Sequence, residues 1–485
     1  MRPEPPAEAV YRSPFVSRWA SRAMLENWGD LKKFRTWRRL WVALAEAQKE
    51  LGLGISEEQL RELRAHQDDI NFAVAEARER ETRHDVMAHI YAYGEQCPKA
   101  RGIIHLGATS AYVGDNADLI LMRDGLRLLR TPLAAACRNL VEFAREHRDL
   151  PCLAYTHFQP AQLTTVGKRA CLWLQDLLDS LRAVAAMAED MPFLGVKGTT
   201  GTQASFLALF DGDHDKVRAL DRAVAEKMGF SRILPVAGQT YPRAVDYKVL
   251  STLGLVAVAC HKMAGDIRLL AGLGEIEEPF GEKQVGSSAM PYKRNPMRCE
   301  RMASLSRFLL NLVPNAAFTA ADQWLERTLD DSAVRRLALP EAFLAADTIA
   351  YLAANVTGGL VVNRQVIQRR AVAKLPFIAT EDILMAAVKA GGDRQRLHER
   401  IRVHSMDAAE RVTNGDGEND LIARIRNDKA LAAVRDKLDE LLRPESFVGR
   451  APEQVDEFLR EVVEPALTAF PLAEPSSQDP AEPRV

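Results

Sequence analysis

The chain has no C-x-x-C pair. Its six cysteines, Cys97, Cys137, Cys152, Cys171, Cys260 and Cys299, are scattered. That spacing points to neither a zinc site nor a disulfide framework, and it fits a reducing, cytoplasmic setting. No run of about 18 apolar residues occurs, so no membrane span is expected. No apolar segment follows Met1, so no signal peptide is expected. Net charge is close to absent: 64 Lys and Arg against 66 Asp and Glu leave a formal −2. Overall charge therefore gives no case for a nucleic-acid or membrane partner. Strand-like alternation is scarce, and there is neither an internal repeat nor a low-complexity core.

What remains is helical patterning on a large scale. The chain has 485 residues, 47% of them apolar, which suits roughly three domains of ~150 residues. Trp37, Leu40, Trp41, Leu44 and Ala45 recur at helical spacing. Residues 51–54 break that helix, and Ser56 with Gln59 forms a capping-box pattern for the next. Further helices are expected at about 84–96, 116–148 with Pro132 as a break or kink, 161–191, 213–228, 244–276, 297–312 and 332–356. The fold expected is all-α, in three helical domains: 1–111, a central long-helix bundle over 112–362, and 363–485. The two ends, 1–13 and 470–485, read as loose. Several central helices are apolar on more than one face, as over 253–259. Helices buried all round need neighbours on every side, so an oligomer is expected.

One stretch concentrates chemistry. Residues 286–296 hold Ser287, Ser288, Lys293, Arg294, Asn295 and two prolines, with Gly281 and Gly286 just before the serines to free the backbone. Asn295 followed by Pro296 reads as an N-cap with proline at the first helical position. Backbone N–H groups at such an end favour anions. Elsewhere, the Thr109–Ser110 turn is glycine- and hydroxyl-rich and precedes a helix. His157 lies just before an expected helix, with Pro160 near its start. Histidine is the usual proton shuttle near neutral pH. Arg83, His84 and Asp85 open a helix; His84 and His89 are five apart, the wrong spacing for a two-histidine metal face. Arg327, Ser332, Arg335 and Arg336 form a basic cluster, with Ser332 and Arg336 on one helix face. Residues 198–202 resemble a phosphate loop only loosely, without its lysine. Arg18–Trp19, Gln239 and Arg301 are each unremarkable alone.

Ser287-Ser288-Ala289-Met290-Pro291-Tyr292-Lys293-Arg294-Asn295-Pro296 resembles the serine loop of the fumarase/aspartase superfamily, whose members release fumarate. With Arg83-His84-Asp85-Val86, the Thr109–Ser110 turn and Thr156-His157-Phe158-Gln159-Pro160, the chain looks most like the adenylosuccinate lyases of the animal type. The resemblance covers nearly the whole chain apart from its ends. It implies cleavage of adenylosuccinate and of the succinylated imidazole carboxamide ribotide SAICAR, without metal or cofactor. It also implies an all-α homotetramer whose active sites are shared between subunits. By the same resemblance His157 is the general acid, Ser287 the general base, and Glu300 orients His157. Arg18, Trp19, Arg83, His84, Asp85, Thr109, Ser110, Gln239, Lys293, Asn295, Arg301, Arg327, Ser332 and Arg336 bind substrate. Trp19 stands where a tyrosine is expected, so a hydroxyl contact is replaced by a ring that can stack.

Two other readings compete. One is a different fumarate-releasing lyase, such as argininosuccinate lyase or fumarase; the Arg83–Asp85 segment and the arginine cluster favour a phosphorylated substrate instead. The other is a non-catalytic structural relative, against which His157 and Ser287 argue. The chemistry asks for donors around a carbanion that spreads onto a carboxylate. Serine in turn needs donors around its alkoxide before it can act as a base.

Overall fold

The computed structural model describes residues 9–415 and 417–471. The expected loose segments therefore fall largely outside the described residues. Helices dominate. The helices used below are α1 (Asp30–Glu50), α2 (Asp85–Gln96), α3 (Ser110–Glu146), α4 (Val166–Glu189), α5 (His214–Lys227), α6 (Ala244–Gly272), α7 (Met297–Ala321), α8 (Asp331–Thr357) and α9 (Arg364–Ile378). Strands are few: an antiparallel hairpin, β1 (Pro151–Thr156) with β2 (Gln159–Thr165), and a two-residue pair, β3 (Ile276–Glu277) with β4 (Val361–Val362). The fold is all-α.

The central layer is α3, α4, α6, α7 and α8. Helix α6 shows why it forms. Val249, Leu253, Val256, Cys260, Met263, Ile267 and Leu270 are all buried, and they follow one another at alternating spacings of four and three. That seam packs knobs into holes along the neighbouring helices. A second stripe on the same helix, Tyr247, Leu255, Val258 and Leu269, stays exposed. By length and composition alone, α6 and α8 are apolar enough to cross a membrane. More than half of the apolar window of each is buried inside the bundle.

Two long helices run past their expected limits. Helix α3 begins at Ser110 instead of residue 116 and is not broken at Pro132, and α7 continues past residue 312 through Pro314 to Ala321. Helix α6 ends at Gly272 rather than at residue 276, where Gly274 turns at a φ of 70° and the chain enters β3. The helix expected from residue 161 begins only at Val166. The residues before it form the hairpin, so Pro160 lies in a strand, not at a helix start. Period-two patterning over so few residues is too weak to register beside this much helix. The Ser56–Gln59 capping box is present.

One end of the bundle is held by a buried ion network. Arg243 gives two hydrogen bonds to Asp115, at 2.9 and 3.2 Å, and a third to Asp331 at 2.7 Å. Arg335 bonds Asp246 at 2.7 Å and Asp118 at 2.8 Å. Tyr241 donates to Asp246. Arg335 therefore belongs to this network and is set apart from Arg327 and Arg336 of the basic cluster. Burial opposes its charge, but Asp246, Tyr241 and Asp118 outweigh that and hold its pKa above the ordinary value. The network clamps the starts of α3, α6 and α8 together. At the other end Glu275 accepts from Arg370 at 2.8 Å and from Tyr155 at 3.2 Å, fixing the hairpin beside the end of α6.

Residues 379–438 build a separate small core around Ile383, Leu397, Ile401, Leu421 and Leu438. The last described helix returns to the main core through Val455, Leu459 and Val463.

Arg243→Met should cost about 3–5 kcal/mol, because Asp115 and Asp331 would remain buried without their partner; urea unfolding measures it, and a loss under about 1 kcal/mol would contradict the clamp. A second expectation concerns pH. His89, stacked on Phe34, and His105, which accepts at Nδ1 from Trp41 at 2.8 Å, are both held neutral by burial, with pKa lowered from 6.5 to about 4. The unfolded chain binds more protons between those values. Stability is therefore full above about 6.5 and falls as pH drops toward 4. The drop in urea midpoint between pH 7.5 and 5 should shrink in a His89→Phe/His105→Gln protein; an unchanged drop would contradict this.

Candidate active site

The expected site residues fall into groups at different places on the bundle. The first lies at the clamped end. His84 caps α2, its Nε2 sits 3.4 Å from Ser110 Oγ, and Asp85 pairs with Arg336 at 3.3 Å. Arg83 occupies the left-handed region, φ 54°, at the end of the preceding helix. Thr109 flanks the start of α3, and Ser332 lies one turn before Arg336 on α8. The ion network beneath sets this group, since Asp115 and Asp118 on α3 bind Arg243 and Arg335.

The second group lies at the same end. Gln239 donates from Nε2 to Thr199 O and from its backbone N–H to Glu326 O, both at 3.0 Å. Three loops, 198–202, 236–239 and 324–327, thus meet beside Arg327. A Cβ at Gly201 would lie 1.9 Å from Ala237 O, so this closure requires glycine there. The 198–202 turn was unassigned in the sequence; its part here is to hold Gln239.

The third group is Arg18, Trp19 and Arg301. The Arg301 guanidinium lies 5.4 Å from the centre of the Trp19 ring. Burial, then the nearby charge of Arg18, lowers the Arg301 pKa, against Glu278. The Trp19 ring also meets Phe15 edge-on, with ring centres 5.7 Å apart, and its indole N–H is buried without a hydrogen-bond partner.

The serine loop and His157 lie toward the opposite end of α6 from the His84 group. Ser287 Oγ accepts from the backbone N–H of Met290 at 3.1 Å and of Ala289 at 3.4 Å. Asn295 does not cap α7. Its Nδ2 donates to Gly286 O at 2.7 Å and closes the loop on itself. Gly286 is required for close approach rather than for freedom, since a Cβ there would lie 2.1 Å from Lys293 O. The start of α7 is not open to a substrate anion either. Buried Glu278 accepts from the N–H groups of Arg298 at 3.0 Å and Cys299 at 2.8 Å. Sequence reasoning missed Glu278 as a site residue. Its acidic signal was legible, but a cap reaching 20 positions along the chain was not.

His157 is exposed in the hairpin turn, where it and Phe158 have φ of 54° and 58°, the two positive values of a tight type I′ connection. Glu300 is exposed in the first turn of α7. No hydrogen bond joins it to His157 among the described residues. Lys293 is exposed on the loop. Helix α6, whose two ends carry these groups, has 29 residues and spans about 43 Å at 1.5 Å per residue. Within one chain, His157 is therefore far from His84, Ser110 and Arg336.

Comparison with known proteins follows the same lines. Residues 20–308 match the lyase family model, and residues 376–458 match the model described as adenylosuccinate lyase C-terminus. The chain is 53% identical to an adenylosuccinate lyase of Saccharomyces cerevisiae over 463 residues, 95% of this chain and 96% of that one. It is 51% identical to the Schizosaccharomyces pombe adenylosuccinate lyase and 47% identical to that of Schistosoma mansoni, each over 95% of this chain and 96% of theirs. Among solved structures, a 3-carboxy-cis,cis-muconate lactonizing enzyme from Pseudomonas putida superposes with a TM-score of 0.80 at 21% identity, over 95% of this chain and all of that one. A fumarate lyase from Mesorhizobium sp. BNC1 gives 0.79 at 23%, over 93% of this chain and all of that one. These last two share the fold. From the family models and the close relatives together, the chain belongs to the adenylosuccinate lyase family and is a carbon–nitrogen lyase.

Proposed function

We propose that the chain eliminates fumarate from adenylosuccinate to leave AMP, and from SAICAR to leave AICAR, in purine nucleotide synthesis. Ser287 takes the proton beside a carboxylate of the succinyl group. The resulting carbanion spreads onto that carboxylate, and the C–N bond breaks as His157 protonates the leaving nitrogen. The observation that carries this reading is the pair of backbone N–H groups aimed at Ser287 Oγ. Such donors stabilise an alkoxide more than a hydroxyl, because hydrogen bonds to an ion are the stronger ones. The Ser288 hydroxyl has no comparable bond among the described residues. Lys293 supplies positive charge for the carbanion, while Arg327, Arg336 and Arg301 suit the phosphate and carboxylates of the substrate. A general acid or base contributes about 10²–10⁴-fold, so electrostatic stabilisation must supply much of the remainder.

The working form we propose is a homotetramer with active sites shared between subunits. The separation of His157 from the His84 group along α6 supports it, as does the exposed apolar stripe Tyr247, Leu255, Val258 and Leu269. Six buried free thiols support a cytoplasmic setting.

Purified protein mixed with adenylosuccinate should release fumarate and AMP in equal amounts. Ser287→Ala should lose at least about 10²-fold in kcat while still binding adenylosuccinate by calorimetry, and Ser288→Ala should be milder. Loss confined to Ser288→Ala would reassign the base. Retention of rate in both variants would remove serine from the chemistry.

A further inference from the structure

We propose that Arg370 and Tyr155 are positioning residues for the proton transfer to the leaving nitrogen. With Glu275 they fix the tip of the hairpin that presents His157. The inference rests on His157 being the general acid. It brings helix α9 into the chemistry, although every site residue expected from the sequence lies at or before Arg336.

The hairpin by itself is a poor mount for a proton donor. A two-stranded hairpin is at best marginally stable in water. Here the pairing slips between Leu153 and Tyr155, so only the pairs of Tyr155 with Pro160 and of Thr156 with Gln159 lie between that irregularity and the turn. Thr156, His157, Phe158 and Gln159 are all exposed, and Tyr155 is half-buried. Whatever aims His157 must therefore reach the tip from outside the ladder.

Tyr155 supplies that hold. Its ring stacks on Phe158, the residue next to His157, with ring centres 5.6 Å apart. Its hydroxyl donates to Glu275 Oε1 at 3.2 Å and accepts from Arg370 Nη2 at 3.3 Å. Arg370 Nε closes the triangle by donating to the same Glu275 oxygen at 2.8 Å. Glu275 is itself held: its side chain is 1% exposed, and its backbone carbonyl accepts from the Asn363 N–H at 2.9 Å. Hydrogen bonds between ionised groups are the strong ones, and two nitrogens of one planar guanidinium fix direction as well as distance. The end of α6 and the start of α9 are thereby joined, through Tyr155 and Phe158, to the backbone that carries His157. None of the three polar side chains hydrogen-bonds His157 among the described residues, so they act through where the tip stands and not by passing a proton. A misplacement of about 1 Å can cost about 10²-fold in rate.

Steady-state kinetics of full-length assembled protein with adenylosuccinate tests the role. Arg370→Gln should lower kcat at least about tenfold and Tyr155→Phe at least about threefold, each with KM changed by less than about twofold. Tyr155→Phe keeps the ring on Phe158 and the Arg370–Glu275 bond, so it guards against misfolding in Arg370→Gln. The deciding readout is Arg370→Gln placed in the His157→Ala protein. There it should change kcat by less than about twofold, because residues that act as one unit are not additive. A further tenfold loss in that background, on the order of the single-variant effect, would mark Arg370 as merely structural and overturn the proposal. An unchanged kcat in both single variants, or a raised KM with kcat kept, would overturn it too. His157→Ala alone separates the two claims. If it keeps full kcat, the general-acid reading falls and this role with it. If it loses rate while Arg370→Gln and Tyr155→Phe keep theirs, the general acid stands and the positioning role alone falls.

Discussion

The paired arginines Arg243 and Arg335, buried among Asp115, Asp118, Asp246 and Asp331, are what the rest of the architecture depends on. Long helices packed along apolar seams can slide by a turn without losing much buried area. Two guanidinium forks bound to aspartates on three different helices cannot. They fix the axial register of α3, α6 and α8. That register places Ser110 beside His84, and Arg336 beside Asp85. A buried ion network of this kind is weak evidence for stability. Its geometry here specifies alignment, at the end of the bundle where several of the proposed substrate-binding residues gather.

The opposite end solves a different problem. A serine must sit on a segment able to move and yet present its hydroxyl to donors. The loop over 281–296 is closed at its root by Glu278, which ties its two ends together through the N–H groups of Arg298 and Cys299. It is closed within itself by Asn295 reaching Gly286 O. Ser287 is then folded against its own backbone N–H groups. The helix start that would otherwise attract an anion is already satisfied. In the proposed mechanism, charge for the reacting carboxylate is therefore assigned to side chains such as Lys293 and not to the helix.

Much of this was legible in the sequence where the signal is local. Apolar residues at spacings of three and four marked the long helices, and Ser56 with Gln59 marked a capped start. A ten-residue pattern marked the serine loop. What escaped was non-local or overridden by its surroundings. The hairpin around His157 spans two short strands next to a long helix, and Pro160 after its turn has the local form of a helix start. Asn295-Pro296 has the local form of a cap, but Glu278 took that role from across the loop. In the sequence Arg335 is one more member of the basic cluster with Arg336. Only the fold reveals that Arg335 faces four aspartates while Arg336 faces outward toward Asp85. Glu300 and His157, joined by family resemblance, are not joined within one chain.

That last separation is the centre of the account. His157, the proposed general acid, and the His84–Ser110–Arg336 group lie toward opposite ends of the 29-residue helix α6, so the shared-site reading requires that they come from different subunits. The most direct measurement mixes two inactive proteins, His157→Ala and His84→Ala, under conditions of subunit exchange, with hybrid assembly verified by native mass spectrometry. The account predicts that fumarate release from adenylosuccinate returns, because some sites receive an intact residue of each kind. Verified hybrids that remain as inactive as the two parents would contradict it.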